Sequence, residues 1–458
     1  MLKAITSTFS NCFKIPELKS RIFFTLLVLV VCRVVSMIQI PGLDGPTLAA
    51  FFKDNAAKSG NSLLGMYSMF TGGALERCAV GSLGIMPYIS ATIIIQLLTA
   101  VIPNLSKLAR EEGGRTKIIQ YGRYLTVLLC LGQGLVMAIG WENPDKIFPG
   151  FKGTLVSDPG WWYRIQTMLV LTTGTLLLMW LGEQITDRGI GNGISLVITI
   201  GILARLPMAG LTLKTMFFPP EGIESDKNIF HAVALLLLLG AVIAGVIAVT
   251  QAQRKIPVQY AQRAVGRKVY AGGSSFMPLR VNYAGVMPII FAQAILMFPD
   301  KIFMMLGQAL DLKIFKELAG HFREDTFVYI LMFGGMILFF SYFWVATQFN
   351  ELQISDDLKK HGGYIPGVRP GQATSDFLHR AMSRITLGGA IFLTVIAVMP
   401  ILLNRAMKIP FEVATFFGGT SMLILVGVML DTMRQMESHL LMRHYDGFLK
   451  KGRLKGRF

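Results

Sequence analysis

Apolar residues run along this chain in ten stretches of about twenty residues, separated by shorter polar segments. The stretches lie near residues 21–40, 78–102, 118–140, 162–182, 190–207, 230–250, 282–303, 327–349, 382–404 and 412–433. A helix of roughly 20 mostly apolar residues crosses the hydrocarbon core of a bilayer. The pattern therefore predicts an all-α membrane protein with ten transmembrane helices. The boundary between the fourth and fifth stretches, across GEQITDRGIGNG, is the least distinct.

Composition supports the membrane interpretation. Of the 458 residues, 53% are hydrophobic and only 16% are charged, and the mean hydropathy is +0.54. Soluble domains carry about 25% charged residues. The apolar run of the first span, residues 22–32, is followed by RVVSMIQIPG, which offers no small-x-small cleavage site, so we expect an uncleaved span.

The net charge of +17 first bears on how the protein is oriented in the membrane. Basic residues collect on the cytoplasmic side of membrane proteins. With ten spans, most of the 44 basic residues fall on the side that holds both termini. We therefore expect a cytoplasmic N-terminal segment over residues 1–20 and a basic cytoplasmic tail over 434–458.

One phrase occurs twice. Residues 83–90 read LGIMPYIS and residues 284–291 read AGVMPIIF, each in the second span of a group of five. Five spans per half force the halves into opposite orientations, the signature of an inverted repeat. We predict an N-terminal half over 21–207 and a C-terminal half over 208–433. Two chance matches among many apolar residues are the alternative.

Proline is the unusual member of that phrase. Inside a helix it removes an N–H group and clashes with the carbonyl four residues earlier. Pro87 and Pro288 therefore predict helix bends near a protein-lined or wet centre, although an ordinary membrane-helix kink gives the same pattern.

Charged side chains are missing from several spans. Residues 78–102, 232–250 and 282–299 contain no Asp, Glu, Lys, Arg or His. Ion-coupled transporters usually carry ionisable groups inside the membrane, whereas an apolar centre suits a hydrophobic constriction. With no P-loop, no HExxH and no CxxC, the sequence predicts no catalytic residue, metal or cofactor.

Isoleucines recur at helical spacing. Ile85 and Ile89 are four residues apart, as are Ile194 and Ile198, and such pairs share one helix face. This pattern is also typical of packing or lipid-facing positions. Residues 61–76, NSLLGMYSMFTGGALE, are too short to cross the membrane. They predict either a re-entrant helix buried in protein or an amphipathic helix outside the membrane.

Two loops on the side of the termini are long, and both carry basic residues. Residues 251–281 hold six basic residues and no acidic one, and residues 350–381 include HGGYIPGVRPGQAT. Anionic lipid headgroups and phosphate backbones both attract such segments. If these loops only set the orientation of the protein in the membrane, their positive charge is explained. Their length is not explained, and this favours binding of a large anionic partner.

Several long phrases, in order, resemble the SecY family of protein-conducting channels. They are IQIPGLD (38–44), MFTGGALERCAVGSLGIMPYISATIIIQLL (69–98), MWLGEQITDRGIGNGIS (179–195), AGVMPIIFA (284–292), YIPGVRPGQAT (364–374) and FGGTSMLI (417–424). The resemblance implies two inverted five-helix halves around a central pore. It implies a channel that passes unfolded secretory polypeptides across the membrane and releases membrane segments laterally into lipid.

The resemblance also implies roles for residues. The pore ring comprises Ile85, Ile89, Ile194, Ile198, Ile290 and Ile424. The plug segment, residues 61–76, includes Leu63, Leu64, Met66, Tyr67, Met69 and Phe70. The lateral gate includes Pro87, Gln96, Pro288 and Gln293. Partner binding falls to Arg267, Lys268 and Arg369.

The implied partners are SecE and SecG-like membrane subunits, the SecA motor ATPase, the ribosome, unfolded secretory and membrane proteins, and anionic lipids. The implied location is the bacterial cytoplasmic (inner) membrane. The alternative function is a secondary transporter with a five-plus-five inverted repeat. That class commonly breaks its first and sixth spans, but 22–40 and 232–250 contain no proline.

Overall fold

Long helices dominate the structure, a computed structural model. It describes residues 15–56, 68, 71–111, 113–144, 151, 153–217, 229–260, 263–265, 268–270, 273–293, 295–296, 314, 326–407, 413–414, 416 and 420–451. The chain divides into two compact units, Met1–Ile223 with Ile424–Phe458, and Glu224–Leu423.

Thirteen named helices and five strands of the described residues follow one another along the chain. The helices are α1 (Pro16–Val35), α2 (Gly45–Ala56), α3 (Met86–Val101), α4 (Pro103–Arg110), α5 (Gly114–Glu142), α6 (Trp161–Arg188), α7 (Gly193–Leu203), α8 (Leu206–Phe217), α9 (Ile229–Gln251), α10 (Phe327–Gln348), α11 (Glu351–Lys360), α12 (Gln372–Met407) and α13 (Thr420–Lys451). The strands are β1 (Gln253–Tyr260), β2 (Arg263–Val265), β3 (Lys268–Tyr270), β4 (Ser274–Arg280) and β5 (Gly363–Tyr364).

A helix, or part of one, lies in each of the ten predicted spans. Within the described part of the chain, six helices are long and apolar enough to cross a membrane, or up to seven if a bent pair counts as one span. The bent pair is α3 with α4, which turns by 105° at Ile102. Pro103 follows at the start of α4 and cannot continue the ladder of α3.

Helices α5 and α6 form the central pair of the first unit. Arg123, early in α5, makes a bidentate ion pair with Glu183, late in α6, with N–O distances of 3.0 and 2.9 Å. Glu142 ends α5 and accepts from Arg164 at the start of α6, at 2.7–3.0 Å. Two pairs at opposite ends mean that the helices run antiparallel.

The hydrophobic core of the first unit gathers where the loops after α1 and α5 meet α6. Trp141 and Leu171 are fully buried there, together with Leu48 and Leu75. Phe51 packs edge-on against Phe151 at 5.2 Å between ring centroids. This core fixes the segment that leads from residue 71 into α3.

The link between α6 and α7 is tied to the first and last helices. The Ile190 N–H donates to Thr25 Oγ1 of α1 at 3.0 Å. The Gly191 N–H donates to Gln435 Oε1 of α13 at 2.8 Å. Leu18 and Ile190 are buried together beside Met436 and Leu440. The link is therefore a tight turn, as RGIGNGIS indicates.

The second unit contains a sheet that the sequence analysis did not predict. Strand β1 pairs antiparallel with both β4 and β5, in the order β4-β1-β5. Ile256 and Val258 of β1 are buried against Phe349, Leu378 and Met382 of the helical part. The basic loop 251–281 thus contains a structured hairpin that stands on α10 and α12.

Candidate functional site

The two repeat phrases adopt the same backbone conformation. Gly84 and Gly285 both have left-handed φ values, +59° and +65°. A helix begins two residues later in each case, at Met86 for α3 and at residue 287 in the second unit. Glycine adopts a left-handed conformation without the steric penalty that a Cβ causes. The repeated phrase therefore encodes the same turn into a helix in both places.

The predicted bends at Pro87 and Pro288 are wrong. Both prolines lie in the first turn of their helices, Pro87 directly after Met86 and Pro288 directly after residue 287. The first N–H groups of a helix have no intrahelical acceptor, so proline costs nothing there and its fixed φ favours the helix. The helix of the second span accordingly begins at Met86 and not near residue 78, because residues 78–85 form turns.

Five of the six isoleucines of the predicted ring lie in the first unit. Ile85 caps α3 and its carbonyl accepts from the Ile89 N–H at 3.2 Å. Both side chains are buried, as are Ile198 on α7 and Ile424 on α13, while Ile194 is half-buried. Ile290 is buried in the second unit, on the helical segment 287–293.

The two glutamines of the predicted gate lie on the helices that follow the repeat phrase. Gln96 is half-buried in the second half of α3. Gln293 is half-buried at the end of the segment 287–293. The two side chains belong to different units, so their meeting across a gate remains a prediction.

The predicted plug segment is described only at its end. Leu63, Leu64, Met66, Tyr67, Met69 and Phe70 lie outside the described residues. Ser68 and residues 71–75 are buried. The Gly73 N–H donates to the Ser68 carbonyl at 2.9 Å, and a 3₁₀ turn over Leu75–Arg77 follows. The end of the segment is therefore a compact turn.

Two arginines hold that turn. Arg33 of α1 donates to the Gly72 carbonyl at 3.1 Å. Arg205, between α7 and α8, forms an ion pair with Glu76 and a hydrogen bond to the Ser68 hydroxyl. Ser68 in turn donates to Glu76 at 2.8 Å. Arg205, Ser68 and Glu76 were not predicted from the sequence. Two signals were available: Glu76 follows the Gly72–Gly73 pair by three residues, and Arg205 lies near the end of the apolar stretch 190–207.

Close contacts explain the glycine at position 72. Its φ is +64°, and a Cβ there would lie 2.3 Å from Arg33 Nη1 and 3.0 Å from Gly201 Cα on α7. A side chain would displace the arginine or the helix. Gly72 therefore lets the turn touch α1 and α7 at once.

The partner-binding residues differ in how far the structure describes them. Arg369 is exposed on the loop between β5 and α12. That loop is held by side chains, since Thr374 Oγ1 donates to the Arg369 carbonyl at 2.8 Å and Ser355 Oγ donates to the Gly371 carbonyl at 2.6 Å. Lys268 begins β3, and Arg267 lies outside the described residues.

Metal ions and disulfides each require a particular grouping of side chains, which is not found among the described residues. No three His, Cys, Asp or Glu side chains there are grouped to hold a metal ion. Cys32, Cys78 and Cys130 are free thiols and buried. The candidate site is thus a set of apolar side chains and one arginine–glutamate cluster.

Comparison with known proteins agrees with the sequence resemblance. The family model described as SecY matches residues 79–433. A protein translocase subunit SecY of Chlamydia trachomatis is 41% identical over 98% of this chain and 100% of its own length. One from Thermotoga maritima is 41% identical, covering 98% and 99%, and one from Escherichia coli K12 is 41% identical, covering 96% of each.

Solved structures resemble the fold as well. A structure described as that of a protein-conducting channel has a TM-score of 0.56 at 18% identity, over 97% of this chain and 99% of its own. A second, with the same values, is described as showing that the plug domain stabilises the closed state of the translocation channel and maintains a membrane seal. Sec61 in the canine ribosome-channel complex has a TM-score of 0.53 at 18% identity, over 97% of this chain and 99% of its own.

Proposed function

Since the chain belongs to the SecY family, it is a membrane-spanning protein-conducting channel of the bacterial type and not an enzyme, and we propose how its own residues form the channel. The observation that carries this function is the full-length similarity to translocase subunits at about 41% identity. The finer assignments below rest on the geometry of each unit and on the physics of an apolar pore.

The channel is built from ten transmembrane helices arranged as two inverted five-helix halves around a central pore. The matched left-handed turns at Gly84 and Gly285, each leading into a helix with proline in its first turn, support this arrangement. Each half then supplies one equivalent helix, α3 and the helix that begins at residue 287, to the shared axis.

The constriction is a ring of the six isoleucines. Branched aliphatic side chains bind no particular sequence, yet they leave little room for water and ions, so the ring closes by dewetting. Burial of four of the five ring side chains in the first unit, and of Ile290 in the second, supports the assignment. An unfolded polypeptide displaces the ring without meeting a charge.

The plug and the lateral gate complete the resting channel. Residues 61–76 fill the external side of the pore and keep the closed channel sealed, the role described for the plug domain of a related channel. Helix α3 and the helix beginning at residue 287 face each other as the lateral gate, with Gln96 and Gln293 along its seam. Opening of that seam releases membrane segments into lipid.

The basic loops receive the partners that supply clients and energy. Arg369, Lys268 and Arg267 bind the ribosome or the SecA motor ATPase, and SecE and SecG-like subunits pack in the membrane. The ribosome as a partner is supported by the structurally similar canine channel, Sec61, which is described in a ribosome-channel complex. The excess of basic residues on one side supports cytoplasmic termini in a bacterial inner membrane and contact with anionic lipids.

A secondary transporter is the weaker candidate. It needs charged or titratable groups such as Asp, Glu, Lys, Arg or His at the membrane centre for substrate or coupling ion, and helix α3 contains none of these five residue types. The helix breaks that the structure describes next to the repeat phrase lie before α3 and before residue 287, in the second span of each half.

A stalled client tests the ring directly. A photo-crosslinking residue is placed at Ile89, Ile198, Ile290 or Ile424, and at Ile139 and Ile391 as exposed controls. With a secretory polypeptide arrested in transit, we expect crosslinks from the four ring positions and none from the two controls. Transit that continues without any crosslink at the ring positions would show that the polypeptide takes another path.

A further inference from the structure

A cluster of charged and polar side chains surrounds the end of the plug segment. Its members are Arg33, Ser68, Glu76 and Arg205, together with the Gly72 carbonyl. They come from α1, from the turn before α3, and from the junction of α7 and α8. The cluster thus joins three elements that are far apart in sequence. Neither the ring nor the gate uses it.

Each contact in the cluster fixes the same short turn. Arg33 holds the backbone at Gly72, while Arg205 reaches both Ser68 and Glu76. The Arg205 and Glu76 side chains are 16% and 18% exposed. An ion pair so shielded from solvent is screened far less than one on an open surface. Loss of either partner removes this ion pair from a place that is shielded from solvent.

The backbone of the turn at Gly72 and Gly73 lies close to both α7 and Arg205. A Cβ on Gly72 would lie 3.0 Å from Gly201 of α7, and a Cβ on Gly73 would lie 3.6 Å from the Arg205 guanidinium. The turn therefore packs directly against α7 and lies beside the Arg205 guanidinium that pairs with Glu76. Movement of the plug segment out of the pore therefore requires this ion pair to break or to move.

We propose that Arg33 and Arg205 form a latch on Ser68, Gly72 and Glu76, and that the Arg205–Glu76 ion pair sets how firmly this end of the plug segment stays docked. The two arginines and Glu76 are positioning residues of the resting channel. This proposal rests on the assignment of residues 61–76 as the plug. A channel with a weakened latch keeps its ring and helices but visits the open state more often without a client.

The test measures ion conductance of resting channels in planar bilayers. The variants are Glu76→Gln, Arg205→Gln and the double variant, and Arg205→Lys as the conservative change. Glu142→Gln is the matched control, because it removes the carboxylate of another shielded ion pair of the same unit, whose partner Arg164 belongs to α6 and not to the turn. Thermal unfolding in detergent checks that every variant assembles.

We expect the open fraction to rise about tenfold in each neutral variant, since loss of a shielded pair shifts a two-state equilibrium by at least that much. The double variant should leak no more than either single variant, because both remove one interaction. Arg205→Lys should stay closer to the original, and Glu142→Gln should stay sealed.

Deletion of residues 62–70 separates the latch from the plug assignment. If the deletion leaks while Glu76→Gln and Arg205→Gln stay sealed like Glu142→Gln, the latch is wrong and the plug stands. If the deletion itself stays sealed, the plug assignment is wrong and the latch falls with it. Leaks in the two single variants that add in the double variant would contradict a shared ion pair.

Discussion

At the scale of single residues, buried polar contacts and glycines carry more information than the apolar majority. The guanidinium of Arg33 lies within a span, and its hydrogen bond to the Gly72 carbonyl gives it an internal partner in place of water. Its position within the first apolar stretch, residues 21–40, did not identify that partner. The structure shows that it supports the turn before α3.

Substitution of Gly72 by alanine should destabilise the protein by at least about 1 kcal/mol, because the left-handed φ and the contact with Arg33 both resist a Cβ. The thermal unfolding midpoint in detergent measures the effect. Gly132→Ala in α5 is the control, since a Cβ there meets nothing within 4 Å. An unchanged midpoint for Gly72→Ala would mean that the turn is not held as described.

Isoleucine spacing did not distinguish a pore ring from packing or lipid-facing positions, and the structure places these side chains in buried or half-buried positions of both units. The prolines led to bends that do not exist. Proline is compatible with a kink and with a first helical turn alike, and only the neighbouring glycine, in the left-handed conformation, distinguishes the two.

At the scale of elements, the helices were predictable and the sheet was not. Runs of apolar residues of membrane length have few alternatives to a helix. The β1 segment QRKIPVQY alternates exposed and buried positions over Ile256 and Val258, but the proline and the charges obscured the period of two. Its pairing with β5 joins residues that are more than a hundred positions apart, which local patterns do not report.

Ile256 is a residue on which the hairpin depends strongly. Ile256→Ala should cost about 2–5 kcal/mol of local stability, because it leaves a cavity between β1 and the helical core. Faster trypsin cleavage of loop 251–281 would report the loss. Phe276→Ala, at a position that is 61% exposed on β4, should change stability by no more than about 0.5 kcal/mol. Equal cleavage rates for both variants would contradict the buried role of Ile256.

Arg369 lies on a loop whose backbone is held by Ser355 and Thr374, so its side chain is presented at a fixed place. Arg369→Glu should reduce SecA-dependent translocation into membrane vesicles by about tenfold or more, while the channel still assembles. Lys360→Glu makes the same change of charge on the neighbouring helix α11, where the side chain is also exposed. Normal translocation by the Arg369 variant, or an equal defect in both, would count against a specific contact by this loop.

At the scale of the whole molecule, the sequence phrases shared with a family predicted the function, which hydrophobic periodicity alone did not. Periodicity predicted a membrane protein with an inverted repeat, and the described residues contain six or seven candidate spans. Family membership then established a protein-conducting channel. The ten-helix arrangement and the ring between the two units remain predictions, because no local pattern reports how two separate units meet.

We propose that isoleucines from both units seal one pore, and ion conductance across planar bilayers measures that seal. The Ile89→Gly/Ile290→Gly double variant is compared with the original and with Ile139→Gly/Ile391→Gly, the same change at exposed positions, one in each unit. We predict a sealed original, a sealed control and a leaky ring variant. A ring variant that assembles normally and stays as sealed as the control would show that these isoleucines do not close the channel.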